Sequence, residues 1–339
     1  MEAIRKFTVS RNDAMHEGWP DIVRTRSGRL LCVFSECEAH ACRDNCRIML
    51  IESDDDGATW KNRRPLTELT QKEDFYNCAR LSLLADGTIA AVCDRIQGDE
   101  NRAACQYLWT STDDGESWSD AAVLPFTGIV PDKITTLSTG RILLAAHFKN
   151  HETGKLEQYL WYSDDGMKTW SDRVTVAADP RYNLCEVSIY ECTDGTLAAL
   201  MRENSNMGRD CFKTLSTDGG ESWSEVYPTN MPGCHRPVAG RLTDGRVLIS
   251  YRYHAGYGSW ATNTFLTLTD EESLKHPGRE GNYRIIPLDY DRAPRSDGGY
   301  TGWVQLPDGD VLLVNYITDD APKAQIRGYR FDPNKLILQ

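Results

Sequence analysis

Five of the seven histidines, His16, His40, His147, His235 and His254, stand at the ends of short apolar segments beside acids, arginines or aromatics. The same places carry Glu17, Trp19, Glu36, Glu38, Arg43 and Asp44, then Tyr76, Asn77, Asp94 and Arg95, then Asp132 and Lys133. Further along come Glu186, Arg202 and Glu203, then Arg236 and Arg252, then Arg295, Asp297 and Tyr300. Imidazoles and carboxylates move protons near neutral pH, and guanidiniums fix a carboxylate through paired hydrogen bonds. Each residue also has a purely structural reading. Glu186 could be buried against Arg202 or Arg236 as an ion pair, Tyr300 could be a packing aromatic, Asp44 a solvated loop charge and Trp19 a wedge. Histidines gathered at equivalent positions favour a working cleft over scattered surface residues.

The elements that must position these residues come from repetition. Ser53–Trp60 (SDDDGATW), Ser111–Trp118 (STDDGESW), Ser163–Trp170 (SDDGMKTW) and Ser216–Trp223 (STDGGESW) are four copies of one pattern, Ser-x-Asp-x-Gly-x-Thr/Ser-Trp, with Met167 in place of glycine in the third. Asp55, Asp113, Asp165 and Asp218 can accept hydrogen bonds from turn backbone, and glycine supplies positive φ. These acidic turns therefore read as structural staples and not as calcium or catalytic sites. A second repeat, apolar strand, glycine turn, apolar strand, centres on Gly28, Gly87, Gly140, Gly195, Gly245 and Gly309. Each copy opens a unit with room for four strands, and six units at 50 to 64 residues predict an all-β, six-bladed β-propeller with four antiparallel strands per blade. One domain over residues 1–339 is expected, with the N-terminal strand, residues 2–10, pairing into the sixth blade so that no long edge is exposed.

Composition narrows the function classes. With 38 Lys+Arg against 50 Asp+Glu the formal charge is −12, and no basic field would draw in a nucleic acid or an anionic membrane. No apolar run of 18 residues occurs and MEAIRKFTVS lacks an export signal, so a cytoplasmic protein is expected. The eleven cysteines include a cluster, Cys32, Cys37, Cys42 and Cys46, with no second ligand pair at zinc spacing. Free thiols, no metal and no cofactor are the expectation. The expected partner is a small carbohydrate substrate, and self-association stays open.

The acidic turns and strand pattern resemble the sialidase (neuraminidase) superfamily, and more closely its BNR-repeat, sialidase-like branch, over nearly the whole chain. The resemblance implies site residues. GGYTGWVQLPDG would place a tyrosine nucleophile at Tyr300, NLCEVSIYECTDG its proton-accepting glutamate at Glu186, AALMREN a carboxylate-binding arginine at Arg202, and CEAHACRDNCR an acid/base aspartate at Asp44. A tyrosine with pKa about 10 needs such a carboxylate to become nucleophilic, and sialidases stand outside the two-carboxylate glycosidase rule. The chain departs from the family where an Arg-Ile-Pro motif is replaced by Gly18-Trp19-Pro20, and where a further arginine aligns with Glu38. Arg236 or Arg252 could supply a third basic contact, but the full arginine triad is missing. The acidic, aromatic first mouth suits neutral sugar hydroxyls on Trp19, with Glu38, His40, Asp132 and His235 as further substrate contacts.

The leading expectation is an exo-acting glycoside hydrolase on a small oligosaccharide or glycoconjugate. A second is a lyase or metal-assisted enzyme built on His40, His147, His235 and Tyr300, with Arg202 or Arg236 neutralising a uronic acid. A third is a non-catalytic carbohydrate-binding propeller, since the architecture hosts many functions.

Overall fold

A computed structural model of the chain describes residues 4–98, 103–256 and 261–336. It is built from six four-stranded antiparallel sheets, the blades of a six-bladed β-propeller. Blade 1 comprises His16–Arg24, Leu30–Cys37, Arg47–Ser53 and Lys61–Pro65; blade 2 comprises Asp74–Leu83, Ile89–Gln97, Ala103–Ser111 and Ala122–Thr127. Blade 3 holds Thr135–Thr136, Ile142–Lys149, Leu156–Ser163 and Val174–Ala177, and blade 4 holds Leu184–Glu191, Leu197–Glu203, Phe212–Ser216 and Tyr227–Pro228. Blade 5 is Cys234–Arg241, Val247–His254, Thr262–Thr269 and Arg284–Tyr290. Blade 6 is Gly298–Gln305, Val311–Ile317 and Gln325–Phe331, with Arg5–Ser10 as its outermost strand. Residues 2 and 3 of the expected N-terminal strand lie outside the described residues. Among the described residues no helix is long and apolar enough to cross a membrane.

The chain groups into two compact units, residues 1–124 with 290–339, and residues 125–289. Within each, neighbouring blades bury their faces against one another. Val23, Leu31, Val33, Ile48 and Leu50 of blade 1 pack on Tyr76, Leu81, Ile89, Ala91 and Trp109 of blade 2, and blades 3 and 4 share Leu143, Leu160, Val187, Ile189, Leu197 and Met201. Middle strands covered on both faces lose the polar alternation of a half-exposed strand and read as apolar runs such as Ile142–Ala146, as buried strands do.

The four acidic turns are alike. In the first, the Ser53 hydroxyl accepts from the Gly57 N–H at 2.9 Å, while Asp55 accepts from the Thr59 N–H at 2.8 Å and the Thr59 hydroxyl at 2.6 Å. The same bonds recur around Asp113, Asp165 and Asp218. Each turn holds two successive left-handed residues, such as Asp56 and Gly57, or Gly166 and Met167. The carboxylates are thus consumed by their own turns.

Candidate functional site

A shared irregularity aims the candidate side chains. In five blades the first strand of the hairpin slips register at the same point: between Gly18 and Asp21, Asn77 and Arg80, Cys185 and Ser188, His235 and Val238, and Gly298 and Thr301. Each slip contains a left-handed residue: Trp19 (φ 54°), Cys78 (φ 44°), Glu186 (φ 52°), Arg236 (φ 51°) and Gly299 (φ 98°). An extra residue in one strand bends it and turns a side chain out of the normal alternation. For a non-glycine residue the left-handed backbone costs about 1–2 kcal/mol. Three of the candidates, Trp19, Glu186 and Arg236, sit on these strained positions.

In the first unit an aromatic and imidazole group forms at the ends of blades 1 and 6. The His16 ring lies 5.2 Å from Trp19 and 5.7 Å from Tyr316, and Trp19 lies 4.9 Å from His40. Tyr300 meets Tyr316 edge-on at 6.2 Å. Asp297 ties the group together: the Tyr316 hydroxyl donates to Oδ1 at 3.0 Å, and His40 Nδ1 lies 2.9 and 2.8 Å from its two oxygens. The Arg43 guanidinium stacks 3.8 Å from the Trp19 ring centre and donates to Asn77 Oδ1 at 3.2 Å. Burial pushes the His16 pKa down to about 4 against the opposing pull of Asp297. Other acids at this mouth are already engaged, Glu17 by Arg63 at 2.8 Å and Glu36 by Arg47 at 2.7 Å.

Asp44 and Glu38 lie on the loop between the second and third strands of blade 1, the loop that also carries His40 and Arg43. Asp44 accepts the Lys72 N–H at 2.9 Å, Glu38 accepts Asn45 Nδ2 at 2.7 Å, and the Cys42 thiol lies between the two carboxylates at 3.6 and 3.7 Å.

In the second unit, charge gathers around Glu186. Both of its oxygens accept from Arg202 Nη1, at 3.0 and 3.1 Å, and both side chains are largely buried. His147 Nδ1 accepts the Glu186 N–H at 3.4 Å. The His147 pKa falls to about 4 through burial, with Glu186 opposing and Arg236 and Arg202 adding to the fall. His235 lies opposite Arg252 across the hairpin and stacks on His254 at 5.0 Å. Burial, with the nearby Arg202 and Arg252 guanidiniums, holds its pKa well below the usual range. Arg236 donates to the Pro131 carbonyl at 3.1 Å. Arg202 pairs with Glu186, and Arg236 and Arg252 lie on the adjoining hairpin of blade 5 beside the buried imidazoles of His147 and His235. Asp132 is drawn into the fold: its Oδ2 accepts the Ile189 N–H at 2.8 Å, linking blades 3 and 4. Two clefts of about 460 and 510 Å³ in this unit lie against the acidic turns and hold none of the candidate residues.

The first unit thus brings together Trp19, His40 and Tyr300, and the second Glu186, Arg202, His235, Arg236 and Arg252. Tyr316 went unread in the sequence because it is the next-to-last residue of the apolar run VLLVNYI. Its place just before the close of a hairpin was the available signal.

The BNR repeat-like domain family matches residues 71–273, more than half of the chain. The chain belongs to that family. This BNR-repeat protein is 25% identical to a sialidase from Paraclostridium sordellii over 70% of its own length and 68% of that protein's. It is also 25% identical to an exo-alpha-sialidase from Arthroderma benhamiae, covering 78% of this chain and 73% of the other. Among solved structures, a protein of unknown function from Dyadobacter fermentans superposes with a TM-score of 0.80 at 22% identity, covering 97% of this chain and 99% of that one. The Hadza microbial sialidase Hz136 superposes with a TM-score of 0.75 at 17% identity, covering 98% and 69%. The fold is that of the sialidase superfamily.

Proposed function

We propose that this BNR-repeat protein is an exo-acting glycoside hydrolase whose substrate sugar carries an acidic group. The observation that carries the reading is the buried Glu186–Arg202 pair among Arg236, Arg252, His147 and His235. Guanidiniums already out of water bind a sugar carboxylate with little further desolvation, and Glu186, paired with Arg202, is the acid proposed to take the proton. The roles implied by the sialidase resemblance belong to the proposal: Glu186 as base, Tyr300 as nucleophile, Asp44 as acid/base group. Trp19, Glu38, His40, Asp132, His235 and the three arginines are proposed substrate contacts, with the backbone bond of Asp132 to Ile189 giving that residue a positioning part. The catalytic unit is proposed to be the chain 1–339 acting as one domain. Gly18 stands where the family arginine would be, and Arg202, Arg236 and Arg252 are the residues proposed to hold the carboxylate.

The test is turnover of a panel of aryl glycosides, a sialoside and uronides included, by the wild type, Glu186→Gln and Tyr300→Phe. Hydrolysis of an acidic glycoside that falls at least about 100-fold in both variants is expected. Hydrolysis of neutral glycosides only, or full activity in Glu186→Gln, would sink the proposal. A uronate lyase is the second reading, favoured by the neutral imidazoles of His147 and His235 beside arginines. Its mark is an unsaturated product absorbing in the ultraviolet, with no hydrolysis.

A further inference from the structure

We propose that His16, His40 and Asp297 bind one divalent transition-metal ion, at the mouth that also carries the proposed substrate contacts Trp19 and His40; the binding is measurable without any turnover. The three residues offer donor atoms that all lie within 4.8 Å of one another. Asp297 Oδ2 is 2.8 Å from His40 Nδ1 and 3.8 Å from His16 Nε2. Around an ion with bonds of about 2.1 Å, donors stand about 3.4 Å apart in a tetrahedron and about 3.0 Å apart at octahedral right angles, so small side-chain shifts seat it.

Four further observations point to a ligand. The His16 side chain is only 6% exposed, and its Nε2 has no hydrogen-bond partner among the described residues; a buried nitrogen left so is costly. Gly18 leaves room for that nitrogen, since a Cβ there would come within 2.8 Å of it. The Tyr316 hydroxyl donates to Oδ1 of Asp297, while Oδ2 is the oxygen near both imidazoles; such an outer contact orients a ligating carboxylate. His40 is 47% exposed at its side chain, so an ion can reach the site and keep open positions for oxygen donors.

Two imidazoles and one carboxylate suit zinc, cobalt, iron or manganese over calcium or magnesium. A formal charge of −12 attracts cations to the molecule. Arg43 and Lys323 are close enough to act on His16; the Arg43 charge is spent on the Trp19 face and Asn77, and Lys323 donates to the Glu38 carbonyl. On binding, the proton between His40 Nδ1 and Asp297 moves to His40 Nε2 or to solvent. Only coordinate bonds form, and nothing is oxidised or reduced.

The full chain, stripped with EDTA and dialysed, is titrated with Co(II) by absorption and with Zn(II) by calorimetry. One equivalent should bind, at least about 10-fold more weakly in His40→Gln and Asp297→Asn and about 10-fold more weakly in Tyr316→Phe. Cys42→Ser should bind as the wild type does, and Ca(II) should not compete. Thermal melts of the metal-free variants separate misfolding from lost ligation, and His40→Gln, at a half-exposed position, keeps the test available if Asp297→Asn unfolds. No saturable binding, binding unchanged in His40→Gln, binding lost in Cys42→Ser, or effective competition by Ca(II) would each overturn the proposal.

Discussion

Glu186 shows how one residue gathers several constraints. Its left-handed backbone (φ 52°) turns the carboxylate out of the strand, and Arg202 then holds both oxygens at 3.0 and 3.1 Å. Removing one partner of a buried pair leaves the other charge uncompensated, at a cost of about 3–5 kcal/mol. Arg202→Met should therefore destabilise the chain by about 3 kcal/mol in urea unfolding. The double variant with Glu186→Gln should recover part of that loss, since it removes the stranded charge. Additive losses would show that the two side chains do not depend on one another. A guanidinium that also binds substrate predicts a higher KM in Arg202→Lys, which keeps the charge and gives up the paired geometry.

At the scale of the element, the acidic turns and the strand slips divide the labour. The turns bind their own aspartates, whose pKa values fall to about 2, in Asp55 first through the Thr59 hydroxyl and then its N–H. Carboxyl resonances of Asp55, Asp113 and Asp165 should titrate near pH 2 by NMR, and a midpoint near 4 would mean that the bonds are absent in solution. The two left-handed positions of a turn differ in what lies beneath them. A Cβ at Gly57 (φ 82°), the second position of its turn, would clash with Leu312, whereas one at Gly166 (φ 74°), the first position of its turn, meets nothing within 4 Å. Gly57→Ala should cost the left-handed penalty plus overpacking, about 2–4 kcal/mol together. Gly166→Ala should cost about 1 kcal/mol. Equal costs in chemical unfolding would show that the turn does not press on the core. The hairpin repeat and the turns were legible because both depend on local chemistry, Asx-type bonds and positive φ, which residue types report directly. The slips were not legible, because Trp19, Cys78, Glu186 and Arg236 share a backbone conformation and no residue type.

At the scale of the whole molecule, stability should depend on buried neutral imidazoles. His16 and His147 have folded pKa values of about 4, below the ordinary 6.5, mainly through burial. Their contribution is complete above about pH 6.5 and is lost as pH falls through the window down to about 4, because the unfolded chain binds the protons first. Near pH 5 each such ring should remove about 1.4 kcal/mol of stability per pH unit. Calorimetric melts between pH 7 and pH 4 should show a falling Tm, with a shallower fall in His147→Gln. A Tm that stays level across that window would mean the rings are solvated or charged in the folded state.

The sequence by itself determined the six-bladed architecture, because repeated turns and apolar strands act within about 60 residues of one another. It also brought Tyr300, Trp19, His40, Glu186 and Arg202 into view, since they flank recurring hairpins. Only the tertiary structure decided which of them keep company. Asp297 meets His40 from 257 positions away, Asp132 is taken by the backbone of blade 4, and Gly18 yields its space to the His16 ring. Such partnerships rest on where strands from different blades end in space, and neither spacing nor residue type encodes that distance.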